Sequence, residues 1–438
     1  MKINKDFYKE YSIIKIRELF KKKKIKPKDL INFSISNIKA NGSYNFLTNS
    51  SFKSLKFETF LKNSNFDTKK NLSCIPFLAK DIFNTIDFKT EMGSKVWKNF
   101  NAGNNARVID KLVDDGSILM GKSTTAEFAV HHETKCKNAI DNKRLPGTSS
   151  TGSAVAVSLG VVPYALGTQT AGSITRPASY NGVYGIKPTF GMIPRTGILK
   201  TCDSLDTIGF LTSNFENIKI ILNSMRVTGK NYPYVKDYVD KIKKIEIKKL
   251  KIGFVKTHTW NNLEDYNKKR FLEYINRVKG NFITEELNIG DEFNQIHEIH
   301  KRIYYKSLSY YFKREKKLGY KLSSIIKDII KKGNKISNDE FKESIFKQNY
   351  LIEKFDKIIS NFDLVISPGT AGIAPKKTEI EKNDSALMWT FLHVPSIFSP
   401  IFKGPKELPF GIQFIGRKWN DLQIISILEI FKKKDLIF

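Results

Sequence analysis

Apolar residues between positions 8 and 41 recur at helical spacing on either side of the basic turn Lys21 to Pro27. This predicts two amphipathic helices, the second opened by Lys28-Asp29-Leu30. Positions 42 to 72 are polar and rich in Asn and Ser, and read as a surface connection with a short helix. The pattern then changes. Ile75-Pro76-Phe77-Leu78-Ala79 is a short apolar run ending in Lys80-Asp81, and Ser117-Ile118-Leu119-Met120-Gly121-Lys122 is another. Runs of this length suit strands buried on both faces. From Pro146 to Pro188 small residues dominate and charges nearly vanish, with a small-residue helix predicted over Ser153 to Leu159.

From about 215 to 360 the chain turns helical and Lys-rich, broken by the strand-like Leu250-Lys251-Ile252-Gly253-Phe254-Val255. Phe362 to Pro368 and Phe410 to Gly416 read as further strands, and an amphipathic helix closes the pattern at about 420 to 433. Strands alternating with helices, with no internal repeat and no long linker, predict an α/β protein of one large domain.

The 438 residues are 40% hydrophobic and 27% charged, which is ample for a large core and speaks against disorder. The net charge of +30 suggests at first a nucleic-acid or acidic-membrane binder. The lysines, however, are spread over most of the chain, as they are when unconstrained surface positions fill with Lys; a dedicated polyanion site is disfavoured. Three cysteines, Cys74, Cys136 and Cys202, make neither a disulfide framework nor a spaced zinc site. His297-x-x-His300 lacks a completing ligand and reads as two surface histidines. The first 24 residues carry no uninterrupted apolar stretch, and nowhere do ~18 apolar residues run together. No signal peptide and no spanning helix are expected, and the setting is read as cytoplasmic.

Two segments carry candidate chemistry. Gly147-Thr148-Ser149-Ser150-Thr151-Gly152-Ser153 is a Gly/Ser/Thr turn running into a helix, without the Lys-Ser/Thr ending of a phosphate-binding P-loop or the glycine spacing of a dinucleotide site. Gly167-Thr168-Gln169-Thr170-Ala171-Gly172-Ser173 again sets small residues before a serine, where consecutive backbone N–H groups can hold an oxyanion. No histidine with a partner carboxylate accompanies that serine, so a histidine triad is unsupported. A lysine stripped of its charge by burial can serve as base instead. Lys80, at the end of its apolar run, is the candidate; a lysine ion-paired in the core beside Asp81 fits the residues equally well. Ser150 and Ser153 read as helix-opening residues that satisfy free N–H groups, with Ser150 also able to support the turn through hydrogen bonds.

Lys80-Asp81, the 147–153 turn and the 167–173 segment resemble, in order and spacing, the three motifs of the amidase signature family. The resemblance continues through Gly182-Val183-Tyr184-Gly185-Ile186-Lys187-Pro188-Thr189, Ser204-Leu205-Asp206, Thr125 to Ala129 and Leu408 to Gly416, and so spans nearly the whole chain. It implies a mixed twisted β-sheet flanked by α-helices on both faces over residues 1–438. Within it lie a signature core at about 72–215, a variable helical substrate region at about 216–360 and a C-terminal return at about 361–438.

The resemblance further implies a Ser–cis-Ser–Lys triad. Ser173 is the nucleophile, Ser149 (with a cis bond to Ser150) passes the proton, and Lys80 is the neutral base. The N–H groups of Thr170, Ala171, Gly172 and Ser173 form the oxyanion hole, and no cofactor or metal is implied. Arg176 and Thr148 are candidate substrate contacts, although a structural ion pair of Arg176, with Asp206, is favoured over a substrate role. Thr148, Thr151, Ala171 and Cys74 stand where relatives commonly have Gly; Cys74 puts local packing in question.

The expected activity is hydrolysis of a small-molecule carboxamide to acid and ammonia or amine, with a homodimer compatible. The alternative is the glutamine-hydrolysing chain of a tRNA-dependent glutaminyl/asparaginyl amidotransferase, disfavoured by His131-His132-Glu133-Thr134, by Gln169-Thr170-Ala171 and by length. A non-catalytic nucleic-acid-binding protein ranks last.

Overall fold

Among the described residues, ten strands join into one mixed sheet, in a computed structural model that describes residues 3–53, 60, 64–130, 134–227 and 245–438. The strands are β1 (Pro76–Lys80), β2 (Ile118–Ser123), β3 (Tyr164–Gln169), β4 (Tyr184–Lys187), β5 (Thr207–Thr212), β6 (Lys251–Phe254), β7 (Ile283–Glu286), β8 (Leu364–Pro368), β9 (Ser396–Lys403) and β10 (Pro409–Ile415). Their order is β2-β1-β3-β5-β4-β9-β10-β8-β6-β7. The pairs of β1 with β2 and β3, and of β6 with β7 and β8, are parallel; the central strands from β3 to β8 run antiparallel to their neighbours.

This order explains why no linker divides the chain. The last two strands insert between β4 and β8, so the C-terminal segment bridges the strands of the first half to β6 and β7. Every residue of β1, β2, β3, β4, β5 and β8 is buried. Alternate residues of a strand point to opposite faces, so both faces are covered, by helices, and the sequence shows continuous apolar runs instead of alternation. The α/β expectation holds. Five strands went unread: β3, β4, β5, β7 and β9. β4 and β5 hold Gly185 and Gly209, which are poor strand formers chosen for close approach; a Cβ on Gly209 would lie 2.0 Å from Ile186 O on the paired strand.

At the N-terminus the two expected helices form at Ile13–Lys21 and Pro27–Ala40, with Ile13, Ile16 and Phe20 turned inward at helical spacing. Pro27 takes the first position of the second helix, where its missing N–H costs nothing. Cys74, where the resemblance leads one to expect Gly, adopts φ of 61°. That left-handed conformation favours glycine, because a Cβ there costs about 1–2 kcal/mol. The packing accommodates it: the side chain is buried and the Cys74 N–H donates to Gly116 O at 2.8 Å. No helix among the described residues is long and apolar enough to cross a membrane.

Candidate active site

Lys80 closes β1, and Thr168 lies near the end of β3, its parallel neighbour. The carboxyl ends of parallel strands in open α/β sheets leave a crevice suited to a site. Two loops converge on it. The first precedes the helix Thr151–Ser158; the second joins β3 to the helix Thr175–Asn181. Gly152 lets the first loop settle: a Cβ there would lie 2.2 Å from Phe46 O and 2.5 Å from Thr124 N. In the second loop a Cβ on Gly172 would lie 3.0 Å from the Arg176 guanidinium.

Lys80 is fully buried, with its Nζ 2.8 Å from Ser149 Oγ, 2.9 Å from Thr168 Oγ1 and 3.2 Å from Ser150 Oγ. Burial pulls its pKa down to about 7, against the opposing pull of the Asp206 carboxylate. The sequence left open whether Lys80 is paired with Asp81. It is Lys122 that holds Asp81, at 3.2 Å, with both side chains sealed from solvent. Lys122 ends the apolar run of β2 as Lys80 ends that of β1, which was the signal available for it. Asp81 is pushed up to about 6 by burial, despite Lys122 and the Glu91 N–H it accepts. Lys122 is thus ion-paired, whereas Lys80 faces only hydroxyls.

Ser150 and Ser153 do not cap the helix. Ser150 Oγ donates to Thr168 O at 3.2 Å and accepts the Thr168 N–H at 3.3 Å, and Ser153 Oγ donates to Leu166 O at 2.7 Å. The reason is tertiary: β3 runs beside this turn and presents backbone groups that need partners more than the helix end does. The expected cis bond after Ser149 is displaced by one position. The cis bond is Thr148–Ser149, and Ser149–Ser150 is trans, leading directly into the helix. Thr148 is half-buried at that turn.

Ser173 is half-buried in the second loop, its carbonyl accepting the Ser150 N–H at 3.3 Å. No hydrogen bond links its hydroxyl to another described residue. The backbone N–H groups of Thr170, Ala171, Gly172 and Ser173 likewise donate to nothing among the described residues. Their carbonyls and side chains are well held. Thr170 Oγ1 donates to Asp206 Oδ1 at 2.7 Å, His300 Nε2 lies 2.8 Å from Thr170 O, and Thr390 Oγ1 donates to Ala171 O at 2.7 Å. Gln169 Oε1 accepts the N–H groups of Ile174 at 2.9 Å and Thr175 at 3.0 Å, bridging the loop.

Arg176 does form an ion pair, but with Asp384 at 2.6 Å, and Glu381 lies at 3.9 Å. Asp206 is occupied by Thr170, the Thr201 hydroxyl and the N–H groups of Thr201 and Cys202. The expected partner was therefore wrong, because Asp384 comes from a segment 208 residues away that sequence proximity could not suggest. His300 is buried and His297 half-buried, which corrects the surface reading. The half-buried His258 completes a pair with His297, their ring nitrogens 2.6 Å apart, and burial lowers both to about 4. Sequence reasoning missed Thr168, Lys122, His258, Thr390 and Asp384. His131 to Glu133 lie outside the described residues, as does 228–244 of the helical middle segment.

The sequence profile described as Amidase matches residues 29–425. The A-type chain of the glutamyl-tRNA(Gln) amidotransferase of Streptococcus equi subsp. zooepidemicus is 27% identical over 97% of this chain and 96% of its own. Among solved structures, a crystal structure of an amidase superposes with TM-score 0.84 at 21% identity, covering 96% of this chain and 99% of that one. A bacterial aryl acylamidase belonging to the amidase signature family gives TM-score 0.83 at 18% identity, covering 97% and 96%. At such identities these structures establish a shared fold.

Proposed function

The chain belongs to the amidase family, and from that premise we propose that it is a free-standing amidase working through an acyl-enzyme on Ser173. The products are a carboxylic acid and ammonia or an amine. The observation that carries this reading is the surroundings of Lys80: a fully buried amine, held near neutrality, with three hydroxyls and no carboxylate in hydrogen-bond reach.

A neutral amine has two N–H donors and one lone pair. Thr168 Oγ1 and Ser150 Oγ receive the two N–H groups, which leaves the lone pair for the hydroxyl proton of Ser149. Ser149 in turn takes the proton of Ser173 as its Oγ attacks the amide carbon. The carbonyl oxygen, now negative, is met by the free N–H groups of Thr170, Ala171, Gly172 and Ser173, each donor worth roughly 3 kcal/mol in the transition state. Lys80, now an ammonium, returns the proton through Ser149 to the leaving nitrogen, and the C–N bond breaks. Water, deprotonated along the same route, then cleaves the ester and restores Ser173. The chain's own residues supply the base, the proton relay and the oxyanion donors in this sequence.

Substrate contacts are best sought on the rim. Ile198, Leu199 and Ile208 line a shallow, solvent-open cleft that also reaches Thr168 and Thr170. Thr148 is a candidate contact. Arg176 is engaged by two carboxylates and is a weaker one. We read the protein as cytoplasmic, where its three buried cysteines stay reduced.

A second reading, the glutamine-hydrolysing chain of a tRNA-dependent amidotransferase, draws on the description its curated relatives carry and on their near full-length alignment, which removes length as a discriminator. The test is ammonia release from a panel of primary amides and glutamine, wild type against Ser173→Ala. Turnover of simple amides that vanishes in the variant supports the free-standing amidase. Turnover of glutamine alone, or only with co-purified partner proteins, favours the second reading. A folded wild type silent on every amide and unlabelled by a serine-directed fluorophosphonate overturns both.

A further inference from the structure

We propose that His300 and Thr390 are positioning residues that fix the orientation of the Thr170–Ala171 and Ala171–Gly172 peptide planes, and so aim the oxyanion-binding N–H groups of Ala171 and Gly172. The inference rests on Ser173 being the nucleophile. His300 projects from the helix Ile296–Tyr311, within the variable middle segment, and reaches Thr170 O at 2.8 Å while only 4% exposed. A carbonyl oxygen only accepts, so Nε2 carries the proton and donates. Burial keeps the ring neutral by lowering its pKa to about 4, with the Thr170 carbonyl opposing, so this donor is a fixed tautomer throughout the neutral range.

Thr390, on the helix Ala386–Phe391, works on the next peptide. Its hydroxyl accepts from Gln169 Nε2 at 3.0 Å and donates to Ala171 O at 2.7 Å. That chain gives the hydroxyl proton a direction. Gln169 Oε1 meanwhile holds the N–H groups of Ile174 and Thr175 beyond Ser173, so one side chain ties both ends of the loop to Thr390.

The consequence follows from amide geometry. In a trans peptide the C=O and N–H of one plane point in opposite directions. Pinning Thr170 O and Ala171 O to His300 and Thr390 turns the N–H groups of Ala171 and Gly172 the other way, where neither meets a described partner. The loop is otherwise free to lose this arrangement, because rotating a peptide plane beside a glycine displaces the flanking Cα atoms little and meets few steric limits. Oxyanion donors act only if preset before charge develops. Two helices outside the signature motifs therefore set the aim of donors within them.

The experiment measures the rate at which a serine-directed fluorophosphonate labels the full chain, together with kcat and KM on whichever amide turns over. His300→Phe keeps a ring without a donor, His300→Gln restores an N–H, and Thr390→Val keeps the shape without the hydroxyl. The expected result is labelling and kcat about tenfold or more slower for His300→Phe and Thr390→Val, KM changed less than about threefold, and substantial recovery in His300→Gln. A purely structural role would depress both parameters or the melting temperature and would not be rescued by Gln. If Ser173→Ala is unlabelled while His300→Phe and Thr390→Val react at the wild-type rate, this inference alone is overturned. If Ser173→Ala labels as fast as wild type, the nucleophile assignment falls and takes this inference with it.

Discussion

Lys80 Nζ lies 2.8 Å from Ser149 Oγ, a contact that joins the end of β1 to a loop 69 residues further on. Asp81, the next residue, turns to Lys122 instead. Lys80 and Lys122 therefore end neighbouring strands with opposite chemistry: Lys122 is neutralised by an anion, and Lys80 loses its own charge.

Exchanging each lysine for methionine should separate these roles. Lys80→Met removes a proton acceptor and should lower kcat by about 10²–10⁴-fold with the fold retained. Lys122→Met strands a sealed carboxylate and should cost about 3–5 kcal/mol of stability. Amide turnover and urea unfolding on both variants check this; equal effects of the two substitutions on both readouts would refute it.

The pH dependence has a definite sign. The reaction needs Lys80 unprotonated, and its pKa is lowered to about 7. kcat/KM should therefore rise with pH through about 7 and level off above it. For stability, the unfolded chain keeps this lysine protonated up to the ordinary lysine value, so stability should rise from about pH 7 towards that value. A kcat/KM profile flat between about pH 5.5 and 8.5 would contradict the assignment of Lys80 as base.

Arg176→Gln should act on stability before substrate recognition. Its partners Asp384 and Glu381 have side chains only 1% and 8% exposed, and removing the cation leaves them uncompensated, at a cost of about 3–5 kcal/mol. Adding Asp384→Asn should recover part of the loss, measured as a double-mutant cycle in denaturant. A KM increase confined to acidic amides, with stability unchanged, would instead make Arg176 a substrate contact.

Gly152→Ala is expected to be the most damaging small substitution in the turn. The added carbon would meet Phe46 O and Thr124 N, both backbone atoms that cannot swing aside. Overpacking of this kind costs about 1–3 kcal/mol or more, and a melting temperature equal to wild type would show that the turn has room.

Much of the site was legible in the chain because its chemistry is local. Small residues before Ser149 and Ser173, and an apolar run ending in Lys80, mark tight turns and a buried strand end wherever they fold. The same locality exposed β1 and β2 as apolar runs, β6 and β8 as strand-like stretches and β10 by its alternation. β3, β4, β5, β7 and β9 were missed because a central or edge strand with glycines or charges reads as strand only when its neighbours are known.

What the sequence determined by itself, then, was the period of its elements, the small-residue turns and the residue types able to carry amide chemistry. Only the tertiary structure decided the pairings: Lys122 with Asp81, Arg176 with Asp384, His300 with Thr170, Thr390 with Ala171. Each joins residues far apart in the chain, brought together by strand order and helix placement. Hydrogen bonds and ion pairs act over a few ångströms of space, whatever the separation in sequence. Periodicity reports which face of an element is buried, but not which distant side chain waits there.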